Sequence, residues 1–152
     1  MIDRRIQIPA DKKVFVESLL SGEGSSGPFL SKADVMAFAA SYGASRGDPL
    51  KLEQGGVDPI RQDIFVNRGY ESLINLLAIF YTKDPNILTY SEEMEVRRAT
   101  IFEGYANRGL KLLQNELRGE VELLDPLLLI IENERSTPSR SDGKVDLGSF
   151  ID

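Results

Sequence analysis

The sequence predicts a mainly α protein, a compact domain of about five helices behind a short N-terminal β-strand. Three observations predict it. Apolar residues recur at helical spacing through most of the chain, a two-residue alternation occurs only at its start, and glycine- and proline-rich stretches separate the helical runs. At 152 residues the chain has the size of a single domain, large enough to bury roughly two thirds of its unfolded surface without a metal or disulfide. Residues 1–133 are expected to form that domain, and residues 134–152 an acidic, flexible C-terminal tail.

Ile2, Ile6 and Ile8 alternate with Asp3, Arg5 and Gln7, the pattern of a strand with one buried face. Pro9 suits a helix start, and Val14, Phe15, Leu19 and Leu20 then follow helical spacing. Residues 21–29, SGEGSSGPF, are too rich in glycine and serine to sustain either element and read as a loop. Ser31 caps a second helix, SKADVMAFAASYG. Asp34 serves as its capping-box acid, Gly43 ends it, and Val35, Met36, Phe38, Ala39 and Tyr42 form the buried face. Residues 43–60 make a long surface connection with a short strand at LKLE.

A third helix is expected from about Pro59 to Tyr81. Its second half, LINLLAIFY, is apolar on nearly every side, which places it at the centre of the molecule. Ser91 caps the fourth helix, with Glu92, Glu93 and Glu95 set against the positive end of its dipole. The stripe Met94, Ile101, Phe102, Tyr105, Leu112, Leu113, Leu117 continues to a stop at Arg118-Gly119. A last helix starts with Asp125 as N-cap and Pro126 in its first turn, and the tail follows from Ser136.

Residues 67–77, NRGYESLINLL, return as residues 107–117, NRGLKLLQNEL, with six of eleven positions identical. On a helix Gly69, Leu73 and Leu77 share one face, as do Gly109, Leu113 and Leu117. Glycine inside a helix costs about 1 kcal/mol relative to alanine, so a close helix crossing is expected at each. The third and fourth helices would then pack near their glycines about an approximate twofold. Arg68 with Asn75, and Arg108 with Asn115, occupy the other face. Brought together, the two arginines would suit an anion or a partner's carboxylate, because guanidinium binds such groups as a planar fork.

Cysteine and histidine are both absent. Their absence excludes disulfides, thiolate metal sites and the commonest general base, and fits a cytoplasmic protein. No apolar run spans a bilayer and no signal-peptide pattern opens the chain. The net charge of −6 divides unevenly, with −1 over residues 1–119 and −5 over residues 120–152. A nearly neutral body lacks the basic excess of a dominant phosphate-binding surface.

The order strand, helix, glycine-rich turn, helix is that of the ribbon-helix-helix fold, in which two chains pair their strands and lay the ribbon into a major groove. In that arrangement Arg5 and Gln7 would face base edges, with Arg4, Lys12 and Lys13 beside them and Ser31 at a phosphate. DNA and a homodimer are the partners this reading requires. No nucleotide-binding glycine loop or nucleophile elbow occurs, so no cofactor is expected. Carboxylates Glu92, Glu93 and Glu95 are the one group suited to Mg²⁺, and ordinarily serve as partners of the helix dipole.

The stretches FLSKADVMAFAASYG (29–43), DPIRQDIFVNRGYESLINLLA (58–78) and EEMEVRRATIFEGYANRGLKLLQNELRG (92–119) together resemble the small proteins associated with DNA phosphorothioation (Dnd) systems, type four. The similarity runs over about residues 4–132 and includes the doubled NRG. The resemblance implies a setting, bacterial systems that replace a non-bridging phosphate oxygen of DNA with sulfur, together with associated restriction functions. It implies no assigned activity and no site residues. In that setting the neutral body favours a non-enzymatic accessory or adaptor protein that contacts other components of the machinery. A direct DNA binder working through the N-terminal ribbon is the alternative, and a metal-dependent nuclease-like enzyme the third reading.

Overall fold

The computed structural model describes residues 4–22 and 25–136, so the expected tail lies outside the described residues beyond Ser136. Within them the chain is mainly helical. The elements are β1 (Ile6–Pro9), α1 (Lys13–Ser18), β2 (Ser21–Gly22), β3 (Ser25–Ser26), α2 (Lys32–Ala44), β4 (Gly56–Ile60), α3 (Gln62–Asn67), α4 (Glu71–Thr82), α5 (Glu92–Glu116) and α6 (Leu124–Ser136). None of these helices is long and apolar enough to cross a membrane.

The centre is the crossing of α2 and α5. Both helices carry a glycine where their backbones meet. A Cβ on Gly109 would lie 2.6 Å from the carbonyl carbon of Ala39 and closer still to its oxygen, and one on Gly43 would lie 2.7 Å from the Gly109 nitrogen. Only hydrogen at these positions lets the helices approach so closely. Residues Ile101 to Asn107 of α5 are buried without interruption, so this helix is enclosed on every side in that stretch. Phe65 meets Phe102 edge-on at 5.4 Å, and Tyr105 contacts the ring of Tyr81 at 6.2 Å, which joins α3 and α4 to the same core.

The helix starts at Ser31 and Ser91 form as the sequence indicates. Each hydroxyl accepts the backbone N–H three residues on, from Asp34 at 3.2 Å and from Met94 at 3.3 Å. The cap of α6 differs from expectation. The Glu122 carboxylate accepts from the N–H groups of Leu124 and Asp125, so the helix opens earlier and Asp125 lies within its first turn. Residues 21–29 also differ, since β2 and β3 form a two-residue antiparallel pair inside the expected loop.

The strand at LKLE does not form. The partner of β1 is the glycine- and proline-bearing segment GVDPI, antiparallel, with Ile6 opposite Ile60 and Ile8 opposite Val57. One extra residue stands between those pairs, where Asp58 takes φ 48° ahead of Pro59. A bulge of this kind accommodates a proline that a regular ladder would exclude. The opposite flank of β1 meets α5, where the Gln7 N–H donates to the Glu103 carboxylate at 2.5 Å. The strand pairing between chains that a ribbon requires would use the flank of β1 that here meets α5.

The expected helix from Pro59 to Tyr81 is two helices. Gly69 adopts φ 85° and breaks it between α3 and α4. The N–H of Gly69 donates to the Val66 carbonyl and that of Tyr70 to the Phe65 carbonyl, the closing bonds of a left-handed helix end. The doubled motif therefore has two conformations, a corner at residues 67–69 and a continuous helix at residues 107–109. No twofold relates them, and Gly109 packs on α2 rather than on α4.

Candidate functional site

The first NRG copy anchors a corner. Arg68 pairs with Asp34 at 3.0 Å, and the Tyr70 hydroxyl donates to the same carboxylate at 2.6 Å. Ser31 donates to Asp34 as well, at 2.9 Å, so one side chain ties the start of α2 to the corner between α3 and α4. Burial alone would raise the Asp34 carboxyl. The hydrogen bonds from Tyr70 and Ser31 and the Arg68 charge outweigh it and hold the group below its ordinary range.

The second copy clamps the long connection. The Asn107 side chain is buried, and its amide donates to the carbonyls of Leu50 at 3.3 Å and Lys51 at 3.1 Å. Arg108 donates to the Asp48 carbonyl and lies against Gly47. Arg68 and Arg108 thus serve different loops, and the structure does not bring them to a common anion. Asn75 and Asn115 are likewise apart. Asn75 faces a cleft that it shares with Arg4, Arg61 and Arg98, whereas Asn115 accepts from Arg118 at 3.3 Å and faces a cleft with Lys12 and Lys111.

The N-terminal residues are drawn inward in part. Arg4 forms a two-pronged pair with buried Glu103, at 2.9 and 2.7 Å, and this bonding outweighs burial to raise its pKa. Lys12, expected on a DNA-facing surface, is only 5% exposed, and its ammonium donates to Asn107 at 2.6 Å and to Asp11 at 3.1 Å. Lys13 faces Asp58 at 3.8 Å, and the Ser31 hydroxyl is held in its cap. Arg5 and Gln7 remain exposed, with the Gln7 side chain lying across Gly56. Glu92 and Glu93 are exposed at the start of α5, and among the described residues no cluster of acids is arranged to hold a metal ion.

One surface feature escaped the sequence reading. The outer side of α2 is the floor of an apolar groove whose two cavities, of about 470 and 330 Å³, share Phe38 and Ser41. Leu73 of α4 and Phe29 wall one end, and Ile130 and Ile131 of α6 wall the other. Phe29 meets Phe38 at 5.5 Å, Phe38 stacks on Tyr42 at 6.4 Å, and the Arg46 guanidinium sits 5.2 Å from the Tyr42 ring. Leu30, 80% exposed, and Leu76, 61% exposed, extend the apolar surface, Leu76 lying one helical turn beyond Leu73. The signal was present in α2 itself, whose Ala, Val, Met, Phe and Tyr residues surround the helix instead of forming one stripe.

The profile of the family described as DNA sulphur modification system-associated protein 4 matches residues 5–150. The chain belongs to that family. The match extends past α6 and beyond the region over which the resemblance was legible in the motifs. Neither the curated proteins nor the solved structures contain a significant match to the chain. Membership in the sulphur modification-associated family supports an accessory role in such a system. It adds no residue roles to the geometry already given.

Proposed function

We propose that this member of the sulphur modification-associated family is a non-enzymatic adaptor that binds a protein component of the DNA sulphur modification machinery through the groove along α2. The occupant is an amphipathic helix of that component. From Asp34 to Ser45 the groove floor covers about 16 Å, which matches three helical turns. The single observation that carries the reading is the half-buried aromatic pair Phe29 and Phe38 on an open apolar floor, with buried Tyr42 stacked behind Phe38. Large exposed apolar patches with aromatic anchors are the usual signature of a protein-binding surface. An ion pair bounds each end of the groove, Asp34 with Arg68 at one and Arg46 with Glu134 at the other.

The test is co-purification of the tagged full chain with each protein component of the system, followed by titration of the component recovered. Leu30→Glu with Leu76→Glu places charges on the exposed apolar surface and leaves the core untouched. The expected result is recovery by the parent chain and at least tenfold weaker binding by the folded double variant. Equal binding by the two proteins would sink the groove as the docking site, and recovery of no component would sink the adaptor reading.

A further inference from the structure

A separate polar cleft, of about 390 Å³, lies where α5 faces the connection that precedes β4. Lys12, Lys51 and Lys111 face it, together with Asn107, and the carboxylates Asp11 and Glu53 are its acids. The cations therefore outnumber the acids. Lys12 is the unusual member, a lysine buried to 95% when the ordinary place for an ammonium is water.

The local bonding explains how it is held and what it leaves over. The amide nitrogen of Asn107 is committed to two backbone carbonyls, which fixes its oxygen toward Lys12. Asp11, the one carboxylate at the ammonium among the described residues, has a side chain 44% exposed to water. Asn107 and Asp11 take two of the three N–H donors, and the third has no protein acceptor among the described residues. Lys51 and Lys111 have no ion pair among the described residues, and Gln114 and Asn115 add neutral amides to the same wall.

We infer that this cleft binds a phosphate-type oxyanion, with the Lys12 ammonium at its base and Lys51 and Lys111 closing on it from the connection and from α5. Lysines placed around one cleft by separate elements suit the many acceptors of a tetrahedral anion, whereas a planar carboxylate is more often met by an arginine fork. The same chemistry is carried by free phosphate and by the phosphodiester of a nucleic acid. The site shares no residue with the groove along α2, so either proposal can fail without the other.

The experiment titrates isotopically labelled full chain, at constant ionic strength, with inorganic phosphate in one arm and a short DNA duplex in another. The expected result is a saturable shift of the Lys51, Asn107 and Lys111 signals in at least one arm. The arm that gives it names the source of the phosphate. In Lys51→Gln with Lys111→Gln, whose altered side chains are both exposed, the affinity should fall about tenfold or more with the fold unchanged. Absence of a saturable shift in both arms overturns the inference. So does a shift of undiminished affinity in the double variant.

Discussion

Gly109→Ala should be among the most damaging small changes this chain can suffer, although alanine is the better helix former. The added methyl would stand 2.6 Å from the Ala39 carbonyl carbon and 3.0 Å from its Cα. Carbon atoms in contact ordinarily sit about 3.5–4.0 Å apart, so the shortfall is about 1 Å, and rigid backbone lies on both sides of it. Parting the two helices by that much forfeits up to roughly half of the dispersion attraction across their contact. Overpacking against backbone costs about 3 kcal/mol, the lost dispersion adds about 1 kcal/mol, and the gain of about 1 kcal/mol in helix propensity offsets only that last part. We expect a net loss of about 3 kcal/mol.

Gly69→Ala is the internal control, because the same NRG motif there turns a corner. Beyond its own chain neighbours, no heavy atom of the described residues lies within 4 Å of the position its Cβ would take, so the cost is the left-handed backbone, about 1–2 kcal/mol. Gly69→Asn should recover most of it, since asparagine tolerates that conformation and the chain already places Lys83 at φ 54°. Urea unfolding followed by circular dichroism measures all three. With a slope of about 2 kcal/mol per molar, Gly109→Ala should lower the midpoint by about 1.5 M, and Gly69→Ala by about 0.5–1 M. A Gly109→Ala loss no larger than that of Gly69→Ala would refute the close-crossing argument.

Two further outcomes follow from the buried polar contacts. Arg4→Met leaves Glu103 buried with the Gln7 N–H as its remaining described partner, and should destabilise the fold by about 2 kcal/mol in the same unfolding assay, with Arg4→Lys recovering part of the loss. Burial of Tyr42, then its 2.7 Å hydrogen bond to Glu116, pushes the phenol up to about 12 from its ordinary 10.0. A group whose folded pKa is raised contributes stability that is full below its unfolded value and is lost as pH rises through the folded value. Stability should therefore decline between about pH 10 and 12, and a urea midpoint series in Tyr42→Phe should lack that part of the decline.

The legible parts of this fold were those fixed by local chemistry. Ser31 and Ser91 are caps because a hydroxyl before an acid-rich helical turn has an immediate use, and the alternation of Ile6, Gln7 and Ile8 stated which side of β1 is buried. The partner strand was hidden because Gly56 and Pro59 are poor strand residues, tolerated by a bulge in a two-stranded pair. The break at Gly69 was hidden because the apolar period continues through it, and only the tertiary arrangement decides whether a glycine bends the chain or admits a neighbour. At the polar cleft, Asn107 was the available sign, an amide within an apolar helical stripe that implies a buried network. That its partner is Lys12 depends on contact between segments remote in sequence.

The enclosure of α5 also bears on how the chain reaches its native state. Gly43 and Gly109 belong to segments far apart along the sequence, so their helices meet only after the intervening chain has closed into a loop. The adjacent pair α4 and α5 faces no such delay. Docking of α2 onto that pair thus carries a large share of the chain's non-local contacts, beside the pairing of β1 with β4 and α5, and contacts of that kind set folding speed more than helix formation does. A bulkier residue at position 109 would then obstruct the last approach of preformed helices, and its signature would include slower refolding as well as a lower midpoint.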